Sequence, residues 1–211
     1  MTSNRQTLHK RILETAMSLF LEKGIRAVRM DDIAGLLSIS KRTLYEVFPN
    51  KEQLLLEGIK DSHDKKHKRL EQLMQSCDNV MDTLICMWRC QLEEMKSIKT
   101  NFISEITRYP LVMDYFKEQE KTSVNIARVF LKRGVDEGYF LKGLNYDLIM
   151  NILHEQRQYS MKSELYRQYS FESLFLNVSI ISLRGFCTEK GIKMLDQFVQ
   201  EELLHEHPQE A

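Results

Sequence analysis

The 211-residue chain carries 30 basic and 30 acidic residues, so its formal net charge is zero, and 43% of its residues are apolar. This length and composition support at least one sizeable core, and the neutral charge argues against a strongly basic nucleic-acid coat. The longest apolar run near the start, within residues 12–24, is too short and too charged for a signal peptide or a membrane span. We therefore expect a folded cytoplasmic protein with no membrane partner.

Apolar residues recur at helical spacing along the whole sequence. Only three prolines and eight glycines interrupt it, which leaves little room for hairpins. The four cysteines are scattered within helical patterns, whereas a disulfide framework would be dense in a short chain. The sequence therefore predicts an all-α fold with reduced thiols.

Three helices are predicted at the start of the chain, the second and third of them short. The first covers about residues 5–23 and stops at Gly24, the second begins near Met30, and the third covers about residues 41–48 after a turn at residues 38–39. Residues 1–50 hold eight basic and five acidic residues, so the positive end of the chain lies here.

The third helix has two chemically different faces. Ser40 is a good N-cap, and Leu44, Val47 and Phe48 share one inward face. The outward residues are cations, a hydroxyl-bearing aromatic and an acid: Lys41, Arg42, Tyr45 and Glu46. Two short helices joined by a tight turn, with such an outward face, are typical of a helix-turn-helix that enters the DNA major groove.

From Ile12 to about Ile59 the sequence resembles the TetR/AcrR family of bacterial transcriptional regulators. The ordered set of residues across this segment carries the resemblance, and single pairs within it carry no signal. That set is Ala16, Phe20, Gly24, Asp32, Ile33, Ala34, the run Ile39, Ser40, Lys41, Arg42, Thr43, Leu44 and Tyr45, then Phe48, Lys51, Glu52, Leu54 and Leu55.

The resemblance implies a set of DNA-contacting residues. Bases or backbone would meet the outward side of the third helix, and Lys51 at the start of the fourth helix would meet a phosphate. Arg29 stands where the family commonly has a capping Ser or Thr, and it would place a guanidinium near phosphate instead. Ser38 stands where the turn usually has Gly. The full predicted set is Arg29, Lys41, Arg42, Thr43, Tyr45 and Lys51.

The fourth helix, about residues 51–77, has apolar ends and a polar middle, which suits a connecting helix between a DNA-binding domain at 1–50 and a helical domain at 78–211. Its histidines, His63 and His67, share one face and loosely match a zinc-protease spacing. Asp replaces the catalytic Glu, and two lysines would repel a metal ion. A solvated helix face explains this segment better, so we expect no metal.

The remaining residues predict a helical bundle rich in methionine and aromatic side chains. Such side chains form cores more often than pockets, so the existence of an effector pocket rests on the resemblance. The predicted pocket residues are Trp88, Met95, Phe102, Phe130 and His154. In this family the last two long helices usually form a dimer interface, for which the candidates are Phe171, Phe175, Val178, Ile181, Ile192, Leu195 and Phe198.

Together with the helix-turn-helix pattern, the resemblance implies a homodimeric regulator, a repressor, that leaves a palindromic operator on double-stranded DNA when a small, largely apolar effector binds. One alternative is a redox- or metal-responsive regulator that uses Cys86 and Cys90, with His154 as a third party. Another is an architectural DNA-binding protein without an effector. Neither a catalytic triad nor a phosphate-binding glycine loop is present in the sequence, so we expect neither an enzyme nor a cofactor.

Overall fold

The computed structural model describes residues 3–96 and 98–206, with side chains described except at residues 3, 4, 100, 120–123, 161, 162, 166, 171, 172 and 203–206. Across these ranges the regular elements are helical, which confirms the all-α prediction. The α-helices are α1 (Ser3–Lys23), α2 (Met30–Leu36), α3 (Lys41–Val47), α4 (Lys51–Ser76), α5 (Val80–Lys96), α6 (Thr100–Ile106), α7 (Pro110–Asp136), α8 (Tyr146–Lys162), α9 (Phe171–Leu174), α10 (Ile181–Arg184) and α11 (Glu189–Glu206).

The chain divides into two compact units. Unit 1 takes its residues from 1–69 and 96–120, and unit 2 from 70–95 and 121–211. The sequence predicts domain limits at residues 50 and 77. In the structure a later segment, residues 96–120, belongs to the same unit as the first three helices. Each unit has its own hydrophobic core.

Unit 1 is built on the buried faces of α1, α3 and α4. Ile12, Phe20, Leu44 and Phe48 are fully buried in its core. The later segment joins this core through α6 and the start of α7, whose members are Phe102, Ile106 and Val112. Burial of these side chains explains why a segment some fifty residues beyond the helix-turn-helix belongs to the same unit.

Unit 2 is built on α5, the end of α7 and the helices after residue 170. Trp88 packs edge-on against Phe175 at a ring-centroid distance of 5.2 Å and lies 5.8 Å from Phe198. Polar contacts close the ends of its helices: Glu137 accepts a 2.7 Å hydrogen bond from the Val80 N–H at the start of α5. Thr188, just before α11, donates to the carbonyl of Gly138 at 2.8 Å.

One helical stretch of unit 2 changes its winding. Between α9 and α10, residues Phe175–Ile180 form a π-helix, so the chain runs as one helix from Phe171 to Arg184 with a wider turn in its middle. Phe175, Leu176 and Ile180 are buried, whereas Ile181 is 63% exposed. The π segment therefore fixes which side chains after it point to solvent.

Each unit has a surface cavity among its described residues. A groove of about 520 Å³ in unit 1 lies between α1 and α4 and is lined by Leu13, Glu14, Met17, Ser18, Leu21, Glu22, Asp61, Ser62 and Lys65. A second, of about 540 Å³, lies on α11 of unit 2. Among the described helices, none is long and apolar enough to cross a membrane.

Candidate nucleic-acid interface

A tight turn joins α2 to α3. Ser38 has φ = +55°, a left-handed conformation that non-glycine residues rarely adopt. The turn is closed by a hydrogen bond from the Ile39 N–H to the Ala34 carbonyl at 3.0 Å and by one from the Ser38 N–H to the Gly35 carbonyl at 3.1 Å. The structure thus places at Ser38 the backbone geometry that a glycine would supply without strain.

The start of α3 is capped as the sequence predicts. The Ser40 hydroxyl accepts a hydrogen bond from the Thr43 N–H at 3.0 Å, and the two hydroxyl oxygens of Ser40 and Thr43 lie 2.8 Å apart. The cap satisfies one of the backbone N–H groups that have no partner inside the helix. It also fixes the Thr43 side chain on the outward side of α3.

The faces of α3 divide as predicted. Leu44 is fully buried, and Phe48 just beyond the helix is fully buried as well. On the other side, Lys41, Arg42 and Tyr45 are exposed, with Tyr45 at 46%. The structure therefore brings two cations and a phenol onto one solvent-facing surface one helix wide, and Thr43 lies at its edge.

Each cation on α3 has an acidic partner. The Lys41 ammonium lies 2.5 Å from Asp31 of α2, and the hydrogen bond to Asp31 raises the pKa of Lys41 above its ordinary value. The Arg42 Nε lies 2.9 Å from Glu46, one turn later, and this hydrogen bond raises the pKa of Arg42. Both cations stay charged at neutral pH, and both pairs are exposed to water, where they exchange partners at little cost.

The start of α2 is capped without a hydroxyl. Arg29 occupies the N-cap position, and its backbone N–H donates to the Asp32 carboxylate at 2.7 Å. The Arg29 side chain is exposed. Asp32 thus compensates for the missing Ser or Thr and leaves the guanidinium of Arg29 directed to solvent.

Lys51 lies in a different environment from the other predicted contacts. Its ammonium donates to the carbonyls of Ile25 at 2.8 Å and Val28 at 2.9 Å, which are both in the loop between α1 and α2. Burial lowers the pKa of Lys51, against the opposing effect of nearby Glu105. The resemblance predicts a phosphate contact for Lys51. In the structure its ammonium group instead binds two backbone carbonyls of unit 1.

Glu105 is a residue that the sequence reasoning missed. It lies on α6, and its carboxylate accepts a hydrogen bond from the Arg26 N–H at 2.7 Å, in the same loop that Lys51 contacts. The two partners are 79 residues apart, so no local pattern in the sequence signals the contact. Asp31 and Asp32, neither of which the sequence predicted as a site residue, also bind specific partners, Lys41 and the Arg29 N–H.

Comparisons with known proteins agree on one family. Residues 12–57 match the model of the bacterial regulatory proteins of the tetR family. The uncharacterised HTH-type transcriptional regulator YvkB of Bacillus subtilis is 31% identical over 162 residues, which cover 65% of this chain and 83% of YvkB. This chain belongs to the TetR family.

More distant relatives give the same result. The HTH-type transcriptional repressor KstR2 of Mycobacterium tuberculosis is 25% identical over 160 residues, which cover 72% of this chain and 78% of KstR2. A TetR-family regulator from Agrobacterium tumefaciens shares the fold, with a TM-score of 0.64 at 17% identity, over 88% of this chain and all of that chain. Members of the TetR family are DNA-binding transcriptional regulators, which confirms that this chain is not an enzyme.

The predicted effector residues of this TetR-family chain are divided between the two units. Phe102 is buried in the core of unit 1, whereas Trp88, Met95, Phe130 and His154 belong to unit 2. Trp88 is 9% exposed and packs on other aromatic rings of that core. Both cavities described above are lined by other residues.

The predicted dimer residues fall into two groups. Phe175, Leu195 and Phe198 are buried within the single chain, because they pack into the core of unit 2. Val178 and Ile192 are half-buried, and Ile181 is exposed. The side chain of Phe171 lies outside the described residues. The sequence missed a row of exposed apolar residues on α8, with 55%, 58% and 67% exposure at Leu148, Ile152 and Tyr159.

All four cysteines of this TetR-family chain are free thiols, and Cys187 is buried. Burial raises the pKa of Cys187 to about 11, and burial also raises the pKa of Cys86, with a further contribution from Cys77. Thiols with raised pKa values are poor nucleophiles at neutral pH. Among the described residues, no group of three or more His, Cys, Asp or Glu side chains is placed to hold a metal ion.

Proposed function

We propose that this TetR-family regulator is a homodimeric repressor that binds a palindromic operator and releases it when a small, largely apolar effector binds. The outward face of α3 carries this proposal, because it combines two exposed cations, a hydroxyl and a phenol on a short capped helix. The functional division follows the sequence, with DNA binding in residues 1–50, a connecting helix in 51–77, and effector binding and dimerisation in 78–211.

Arg42 is the candidate base-reading residue. Its side chain is 88% exposed, and a guanidinium bonds a guanine edge through two parallel hydrogen bonds. Binding requires only that the guanidinium leave Glu46, a partner in the same exposed turn. Lys41, Thr43 and Tyr45 would contact neighbouring bases or phosphates, and Arg29 would contact a phosphate. Lys51 would act instead by positioning the loop whose carbonyls it binds.

The proposed dimer surface lies on unit 2. Leu148, Ile152 and Tyr159 are spaced so that they share one face of α8, with the exposed Glu155 between Ile152 and Tyr159, and Ile181 is an exposed apolar residue of α10. Rows of exposed apolar side chains on a folded protein are typical of interfaces. A second copy related by a two-fold axis is the proposed occupant, because one short recognition helix alone would bind DNA weakly and a palindrome needs two.

The relatives support repression and an apolar effector. KstR2 is named as a repressor, and its structure is described as that of a ketosteroid transcriptional regulator, with a TM-score of 0.54 to this chain at 22% identity. A ketosteroid is a largely apolar molecule. The methionine and aromatic side chains of unit 2, including the half-buried Phe130, are of the kind that line such a site.

Coupling between effector and operator follows from thermodynamics. The effector can shift the regulator only through its different affinities for the DNA-competent and incompetent states. The coupling is reciprocal, so operator DNA must weaken effector binding by the same factor by which the effector weakens operator binding. Measuring both factors for one effector therefore tests this part of the proposal.

The test of DNA function is selection of operators from the genome. Purified protein is mixed with fragmented DNA of its own genome at about physiological salt, and the retained fraction is sequenced. We expect a few sharp peaks that share a palindrome. Uniform retention would support an architectural DNA-binding protein, and absence of retention would contradict binding by the unaided protein.

Two matched arginine variants sharpen this experiment. Arg42→Ala should cost about 1–3 kcal/mol of operator binding and relax one operator position. Arg128→Ala is the control, because Arg128 is also exposed and paired at 2.8 Å with an acid, Asp147, but lies in unit 2. Equal effects of the two variants on operator and random DNA would contradict the role of Arg42.

A further inference from the structure

The loop between α1 and α2 is held from both of its sides. Residues 24–29 connect the first helix to the helix-turn-helix, and they are not helical themselves. On one side Lys51 donates to the carbonyls of Ile25 and Val28, and on the other Glu105 accepts from the Arg26 N–H. Three backbone groups within four consecutive residues are therefore bound by two charged side chains from α4 and α6.

The approach of α6 to this loop is close and requires glycine. Gly24 has φ = +87°, and a Cβ atom at this position would lie 3.2 Å from the Cβ of Asn101 and 3.2 Å from a carboxylate oxygen of Glu105. The Lys99 N–H also donates to the Leu21 carbonyl at 3.3 Å, at the end of α1. These contacts hold the Glu105 carboxylate close to the backbone of the loop at residues 24–26.

The loop sets the position of the DNA-reading elements. It ends at Arg29, the N-cap of α2, and α2 holds Asp31, which binds Lys41 at the start of α3. A displacement of the loop backbone would therefore move α2 and, through the tight turn, α3. Arg26 and Arg29 are both exposed, so the same loop also determines where two guanidinium groups point.

We propose that Glu105 is a positioning residue for DNA binding, which acts by holding the Arg26 N–H and thereby fixing the loop that orients the helix-turn-helix. This inference rests on the proposed operator binding. The direction of the change in DNA affinity distinguishes positioning from charge, because Glu105 is an acidic residue bonded to a loop that would lie near DNA. Removing the charge alone would tighten DNA binding, whereas losing the position of the helices would weaken it.

The experiment compares Glu105→Ala, Glu105→Gln and the control Glu14→Ala in the full-length protein. Gln keeps a carbonyl oxygen that can accept from the Arg26 N–H, and Ala does not. Glu14 is an exposed carboxylate of the same unit, paired with Lys10 at 3.8 Å. Operator affinity is measured per active protein, with the active fraction determined by titration with excess operator, and thermal unfolding is recorded for each variant.

We expect Glu105→Ala to weaken operator binding by about tenfold or more, as loss of a hydrogen bond to a charged group would. The salt dependence should keep its slope, since no phosphate contact is removed. Glu105→Gln and Glu14→Ala should bind within about threefold of the unchanged protein, or more tightly. Tighter or unchanged binding by Glu105→Ala would overturn the proposal, and so would equal weakening by Glu105→Gln.

A second measurement needs no DNA. Hydrogen exchange of the Arg26 amide should be slow in the unchanged protein and in Glu105→Gln, and fast in Glu105→Ala. Protection that persists in Glu105→Ala would overturn the hydrogen-bonded clamp whether or not an operator has been found. If the clamp is observed but the unchanged protein selects no palindrome, the proposed repressor function fails and the positioning of the loop stands.

Discussion

The exposed face of α3 in unit 1 is charged and polar, whereas one exposed face of α8 in unit 2 carries several large apolar side chains. On α3 the outward side chains are Lys41, Arg42 and Tyr45, whose charged and polar groups reach water. On α8 they include Leu148 and Ile152, which are more than half exposed and carry no polar group. Both helices also have an inward face of ordinary apolar residues, so hydrophobicity of the whole helix does not distinguish them.

The inward faces of the two helices are alike, because both pack into a core. The chemistry of the outward side chains therefore indicates which kind of molecule each helix binds. A charged outward face on a short capped helix suits the phosphates and base edges of DNA. An apolar outward face suits a protein surface that excludes water.

The largest expected effect comes from Phe198, which was predicted for the dimer surface and is 1% exposed. Phe198→Ala should lower the free energy of unfolding by about 3–5 kcal/mol, because it leaves a cavity in the core of unit 2. The loss should be the same at every protein concentration, since the side chain is buried within one chain. Denaturant unfolding at several protein concentrations measures this.

The comparison variant is Ile181→Asp, at an apolar position that is 63% exposed. It should change the stability of the folded monomer by no more than about 0.5 kcal/mol and should dissociate the dimer. Sedimentation measures the oligomeric state. Leu36→Asp, at 64% exposure on α2 in unit 1, is the matched control and should leave the dimer intact. Dissociation by both variants, or by neither, would remove the proposed surface.

Lys51→Met tests the role of the half-buried Lys51. The variant keeps the aliphatic chain but leaves the carbonyls of Ile25 and Val28 without their donor, so we expect a loss of about 1–3 kcal/mol of stability. Operator binding should weaken without a change in its salt slope. A phosphate contact, as the sequence predicted, would instead lower the slope by about 0.9. A slope change of that size would contradict the positioning role.

Ser40→Ala removes the N-cap of the recognition helix. The Thr43 N–H loses its 3.0 Å partner, which should reduce stability by about 0.5–2 kcal/mol and weaken operator binding. Ser40→Asp keeps an acceptor at the same position and should recover most of the stability. Thermal unfolding distinguishes the two variants, and equal Tm values would show that the cap contributes nothing.

Ser38→Gly should stabilise the protein by a smaller amount. Glycine adopts φ = +55° without the steric cost that serine bears, so we expect a gain of about 1 kcal/mol, reduced by the greater freedom of glycine in the unfolded chain. Operator binding should be unchanged, because the turn geometry is already present. A lower Tm would mean that the Ser38 side chain stabilises the turn in another way.

His63 should produce the smallest effect, and only at acidic pH. Burial against Tyr115 and Phe116 lowers the pKa of His63 below 6.5. The positive charge of Lys66 lowers it further, and the negative charge of Asp64 partly opposes this shift. The unfolded chain therefore takes up a proton before the native state does, and stability falls as pH drops below 6.5. His63→Phe should lose less stability between pH 8 and pH 5 than the unchanged protein, as measured by urea unfolding at both pH values.

Local features of this fold could be predicted from the sequence. The first three helices, the Ser40 cap and the inward face of α3 depend on residues within one or two turns of each other, and the structure places them as expected. The sequence has Ser38 where the turn usually has Gly, and the structure gives this residue a positive φ. Such features are local, and residue type and spacing determine them directly.

Contacts between distant segments could not be predicted. The bond between Glu105 and Arg26 joins residues 79 apart, and in the sequence a glutamate on a short helix looks the same with or without it. Lys51 has the charge of a phosphate-binding residue, and only the nearby carbonyls of the α1–α2 loop show its other role. Apolar residues of the last helices likewise did not reveal which were core and which were surface, because that depends on how the helices pack.

The π segment at Phe175–Ile180 limits how this chain can change length during evolution. Removing one residue there would convert the wide turn into an ordinary one and rotate everything after it by about 100° relative to what precedes it. Phe175 and Leu183 could then no longer both face the core, and Ile181 would leave its present side. In this stretch substitutions should be tolerated far more readily than single-residue deletions.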